Sequence, residues 1–143
     1  MAGAERTLVD TGPIVALLVA EDAHHIWARR LWAEQEPPLL TCEAVLSEAQ
    51  FLIARFGGNP RAVPEFLERG ALRVAFSVQD EVKRLLELQR AYRSLLMSLA
   101  DACLVRMSEQ TQQCRVLTTD SHFRIYRRNG RQLIRVLMPE ALP

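Results

Sequence analysis

Short runs of strand-forming residues alternate along the whole chain with longer segments of helical periodicity. This alternation limits the chain to a small set of α/β folds. The runs fall at residues 7–9, 39–41, 72–76, 115–117 and 134–138. Between them, apolar residues recur every three to four positions. Ile26, Trp27 and Leu31 form one such stripe, and Val45, Leu46, Ala49, Leu52, Ile53 and Phe56 a second. Val82, Leu85, Leu86 and Leu88 lie in a long helical segment over residues 78–93, with Ser77 as its cap, and Leu99, Cys103, Val105 and Met107 in the next. A stripe of this kind buries one face of a helix. Strands that alternate with helices pair in parallel, because each helical crossover returns the chain to the same end of the sheet. The pattern predicts a parallel sheet with helices on both faces. No repeat or linker interrupts it, so residues 1–143 are expected to form one domain.

Composition narrows the function classes. Apolar residues make up 49% of the chain, enough for a real core. The longest apolar run, residues 14–20, is too short to cross a bilayer. The first six residues lack the basic start and apolar centre of a signal peptide, which predicts a cytoplasmic protein without a membrane span. Three cysteines, Cys42, Cys103 and Cys114, cannot all pair within one chain, and none sits at zinc-site spacing. The net charge of +1 does not by itself announce a nucleic-acid binder. Lys83 is the only lysine, so the remaining basic residues are arginines, which suit planar contacts with carboxylate or phosphate.

Four acids stand out by context. Asp10 follows the first strand run and precedes Gly12-Pro13, a sharp turn into a helix over residues 13–20. That places it at the carboxyl end of a strand, where ligands bind in open α/β sheets, although an Asp there also caps the next helix. Asp120 ends a later strand after Thr118 and Thr119, and would face Asp10 if the two strands are neighbours. Glu48 lies mid-helix between Val45 and Leu52, where an ionised carboxylate calls for a cation, an arginine or a route to solvent. Asp101 follows Ser98 at capping-box spacing, so it can serve the helix start, a functional site, or both. His24, His25 and His122 are read as packing or surface residues.

Asp10-Thr11-Gly12-Pro13, Asp22-Ala23-His24-His25, Glu48, Ser98-Leu99-Ala100-Asp101-Ala102 and Leu117-Thr118-Thr119-Asp120-Ser121-His122-Phe123 together resemble a PIN-domain ribonuclease, most closely the VapC-type toxins of type II toxin–antitoxin pairs. The resemblance covers nearly the whole chain. It implies a PIN-like sheet of about five parallel strands and a metal-dependent endoribonuclease that cuts single-stranded RNA. Asp10, Glu48, Asp101 and Asp120 would hold Mg2+ or Mn2+, hard cations that take oxygen ligands. Thr118 matches a hydroxyl position often found before the last acid. The resemblance further implies a cognate antitoxin protein and a homodimer. One departure is Gly12, where many relatives carry serine, so that hydroxyl is missing or supplied by Thr11. Glu43 rivals Glu48 but falls in the helix's first turn, where a dipole role suffices.

Residues 122–131 mix Phe123 and Tyr126 with Arg124, Arg127 and Arg128 just after Asp120. They are read as a loop whose arginines grip phosphates and whose aromatics stack on bases, or alternatively as one that packs Phe123 into the core. Two other functions compete. A haloacid-dehalogenase-type phosphatase would need a second aspartate at position 12, which is glycine. A non-catalytic PIN-like module that binds RNA or protein would have lost acids, and all four are present.

Overall fold

The computed structural model describes residues 5–140; residues 1–4, part of the segment read for a targeting signal, and residues 141–143 lie outside it. Strand β1, Arg6–Val9, is the middle of a five-stranded sheet. Its Thr7, Leu8 and Val9 are all buried, as a strand covered on both faces requires. The other strands are β2, Leu39–Thr41, β3, Leu72–Val74, β4, Cys114–Leu117, and the outer β7, Val136–Leu137. They run parallel in the order β3-β2-β1-β4-β7.

Helices α1, Thr11–Leu18, and α2, His25–Ala33, link β1 to β2. Helices α3, Glu43–Arg55, and α4, Ala62–Glu68, link β2 to β3. Helices α5, Val82–Ala91, and α6, Leu99–Gln110, lead back to β4. The chain steps outward from β1 to β3, then returns to β4 on the other side of β1. Right-handed crossovers running in opposite directions put helices on both faces of the sheet. The direction reverses between β1 and β4, and in such sheets a crevice opens beyond the strand ends at that point. Val9 pairs with Leu117, so Asp10 and Thr118 emerge side by side at this edge.

Two local expectations are corrected. The helix expected over residues 78–93 is divided. A single 3-10 turn, Gln79–Glu81, precedes α5, and another, Arg93–Leu95, follows it. The Ser77 hydroxyl accepts the Asp80 N–H at 3.3 Å and holds the first turn as a separate unit. The stretch read as a basic loop contains a hairpin, β5, Arg127–Arg128, against β6, Gln132–Leu133. Asn129 and Gly130 turn it with φ of 53° and 77°, the left-handed pair that a tight hairpin needs.

Helix α6 is buried along most of its length, through Ala100, Ala102, Cys103, Leu104, Val105, Met107 and Ser108. Near its end, Glu109 accepts two hydrogen bonds from Arg84 at 2.9 and 2.6 Å and the Asn129 N–H at 2.7 Å. One carboxylate thereby ties α5, α6 and the hairpin together. The three cysteines are free and buried. No helix among the described residues is long and apolar enough to cross a membrane.

Candidate active site

Asp10 leaves β1 in extended conformation and donates its N–H to the Leu117 carbonyl at 3.0 Å, carrying the β1–β4 pairing one residue further. Its Oδ1 accepts the Thr11 N–H at 2.8 Å, so the capping role is real. Its Oδ2 accepts the Thr118 hydroxyl at 2.7 Å, and the residue is only 6% exposed. Burial pushes the Asp10 carboxyl up to about 7, against the lowering effect of the bonds from Thr118 and Thr11; the nearby Asp101 and Asp120 charges raise it further. A cation held in this cavity would favour the ionised form of Asp10.

Thr118 is fully buried and joins two acids. It donates to Asp10, and its oxygen accepts the Asp120 N–H at 3.0 Å. Asp120 caps the following 3-10 turn, Ser121–Arg124, by accepting the His122 N–H at 2.9 Å. Asp101 enters from α6. Ser98 accepts the Asp101 N–H at 3.0 Å, the capping geometry expected from the spacing. The Tyr126 hydroxyl donates to Asp101 Oδ2 at 2.8 Å. Burial raises the Asp101 pKa; the Tyr126 bond opposes this and the Asp120 charge adds to it. Burial, reinforced by Asp101, also raises the Tyr126 phenol, which stays protonated and is the donor.

All four acids line one cavity of about 500 Å3. Glu48 stands at its rim, an exposed residue that accepts the Thr11 hydroxyl at 3.4 Å, so the burial that made it conspicuous in sequence is absent. Glu43 is exposed and lines a different cavity, beside Pro64 and Leu67. Asp101, Asp120 and His122 can each bring one ligand atom within 4.8 Å of the others. Oxygen-rich donors with mutually repelling charges fit a hard divalent cation. His122 and His24, read as packing or surface residues, both line this cavity, as does Asp22. Their signal in sequence was the Asp22-Ala23-His24-His25 segment and the His two positions after Asp120. His25 turns away, with Nδ1 2.7 Å from the Ala16 carbonyl.

Gly12 has a steric cause. A Cβ at position 12 would stand 2.0 Å from the Thr119 hydroxyl oxygen. Thr119 occupies the space a serine side chain would need, while the Thr11 hydroxyl is directed to Glu48.

The basic stretch is deployed differently from its sequence reading. Phe123 and Tyr126 are fully buried, with ring centroids 5.2 Å apart, and present no face to an RNA base. Arg127 Nη1 donates to the carbonyls of Arg124, Ile125 and Tyr126 at 2.8, 2.9 and 3.2 Å. Arg128 donates to the carbonyls of Thr111 and Gln112. Arg124 is exposed and has no side-chain hydrogen bond among the described residues. None of the three lines the acid cavity.

A strand-end aspartate at the β1/β4 reversal is thus joined on one cavity by acids from α3, from α6 and from the segment that follows β4. The PIN domain family profile matches residues 7–129, and the chain belongs to that family. Among solved structures, it is similar to VapC20 of Mycobacterium tuberculosis, described as a sarcin–ricin loop cleaving toxin. The likeness has 27% identity and a TM-score of 0.67, over 80% of this chain and 91% of that one. No curated protein matches the sequence.

Proposed function

We propose that this chain is a VapC-like toxin, an endoribonuclease that requires Mg2+ or Mn2+ and hydrolyses phosphodiesters of single-stranded RNA. The observation that carries the reading is the convergence of Asp10, Asp101 and Asp120 on one cavity, with the Thr118 hydroxyl between two of them. Asp10, Asp101 and Asp120 would hold the cation, with Glu48 at the rim. A bound divalent ion of this kind polarises the scissile phosphate and lowers the pKa of a coordinated water. The protein's own contribution is to keep the carboxylates oriented. Thr118 fixes Asp10 and the Asp120 main chain, and the Ser98 cap fixes the start of α6 below Asp101. Of the three arginines, Arg124 is the one available to an RNA phosphate. A cognate antitoxin protein, a homodimer and a cytoplasmic location belong to the same proposal through the family likeness.

The test is cleavage of a mixed single-stranded RNA pool and of a sarcin–ricin loop oligonucleotide, the target named for the similar toxin. Manganese, magnesium and excess chelator would be compared for the native chain and for Asp10→Asn. Cutting that needs both the metal and Asp10 supports the proposal. A folded, partner-free chain that binds RNA yet cuts nothing under any condition would convert the reading to a non-catalytic PIN-like module.

A further inference from the structure

In sequence Tyr126 is an aromatic between Arg124 and the Arg127-Arg128 pair. In the fold its ring is fully buried, packed edge-on against Tyr92 at 5.0 Å and Phe123 at 5.2 Å between centroids. Its hydroxyl emerges from this cluster and reaches one acid of the cavity, Asp101 Oδ2, at 2.8 Å. A ring clamped on two sides places its hydroxyl within the tolerance of core packing.

We propose that Tyr126 is a positioning residue for the cation, acting through Asp101: by holding Oδ2 it fixes the orientation of the carboxylate beside Asp120 and His122. The Tyr126 hydroxyl grips the carboxylate at Oδ2, and the Ser98 side chain also acts on it from the start of α6. The residue is thus fixed at both ends, by Ser98 at its main chain and by Tyr126 at its carboxylate. An acid held this way loses little rotamer freedom when a cation arrives, and partners of metal ligands commonly set affinity in this manner. Asp10 is held by Thr11 and Thr118 in the same sense, but through the sheet edge. The hairpin segment supplies the equivalent support for α6. The inference rests on the metal-dependent reading above and extends it to a residue with no contact to substrate or cation.

Tyr126→Phe keeps the ring and removes only the hydroxyl. Mn2+ binding, measured by calorimetry and by the EPR signal of free Mn2+, is expected to weaken roughly 10-fold. In an Asp101→Asn background the same substitution is expected to change binding less than about twofold, because the group it acts through is already altered. A second measurement needs no change at position 126. The chain has two tyrosines, so 13C labelling at Cζ yields two resonances, assigned with Tyr92→Phe. Mg2+ added to the native chain is expected to move the Tyr126 resonance and leave that of Tyr92 in place. A native chain that binds Mn2+ while Tyr126→Phe binds it equally well, or a Tyr126 resonance indifferent to Mg2+, would overturn the inference and leave the nuclease reading intact. A native chain that binds no divalent ion would remove both.

Discussion

The hydroxyl of Thr118 lies 2.7 Å from Oδ2 of Asp10, across 108 positions of sequence, and the same oxygen accepts the N–H of Asp120 at 3.0 Å. One small side chain thus sets the spacing of two acids that follow adjacent strands. Thr118→Val keeps the shape and removes both bonds. It is expected to cut RNA cleavage about 10- to 100-fold, as loss of a ligand's hydrogen-bond partner commonly does. Leaving the Asp120 N–H without its acceptor costs about 1–3 kcal/mol in urea denaturation. Thr118→Ser keeps the hydroxyl and is expected to keep most of the activity; equal loss in both variants would show that the methyl group matters as much as the hydroxyl and would refute this account.

The raised Asp10 pKa makes stability depend on pH in a definite direction. Between its ordinary value of 3.8 and about 7, the native chain holds a proton that the unfolded chain releases. The native state binds more protons in that window, so this group's contribution to stability falls as pH rises from about 4 to 7 and is flat above. Asp10→Asn, which imitates the protonated acid, is expected to melt a few degrees above the native chain at pH 8 without metal, and to lose that advantage near pH 4. A thermal-melt series across this range in chelator checks it; a variant with the native slope would contradict the assignment to Asp10.

Gly12 and Thr119 are complementary. Gly12→Ala drives its Cβ to 2.0 Å from the Thr119 hydroxyl, an overlap expected to cost about 1–3 kcal/mol. Thr119→Ala removes that atom, so the double variant should recover much of the loss. Denaturant midpoints of the two single variants and the double variant measure the coupling, and simple additivity would refute the steric account.

The arginines separate by what they already bind. Arg124→Ala is expected to weaken RNA binding in chelator and to lower the salt slope of log K by roughly one. Arg127→Ala combined with Arg128→Ala should instead lower the melting temperature, since those guanidiniums serve main-chain carbonyls. Fluorescence anisotropy over a salt titration, beside thermal melts, distinguishes the two roles.

Much of this was legible in the residue order because it is local. Strand and helix periodicity and the Ser98–Asp101 cap each depend on neighbours a few positions apart, whereas the sharp turn expected at Gly12-Pro13 is absent because Asp10 caps α1 and Gly12 is already helical. So the α/β class and the strand-end location of Asp10 and Asp120 could be read directly. The pairing of β1 with β4 could not be read, since parallel strands separated by more than 100 residues carry no local register signal. Only tertiary packing decided that Thr118 bridges two acids, that Glu48 is exposed at the rim and that His24 and His122 turn toward the cavity. The same holds for residues 122–131. Sequence shows their basic and aromatic character, but burial and hydrogen-bond satisfaction assign Tyr126 to Asp101 and Arg127 to the main chain, because a side chain's partners are set by what the rest of the fold brings within reach.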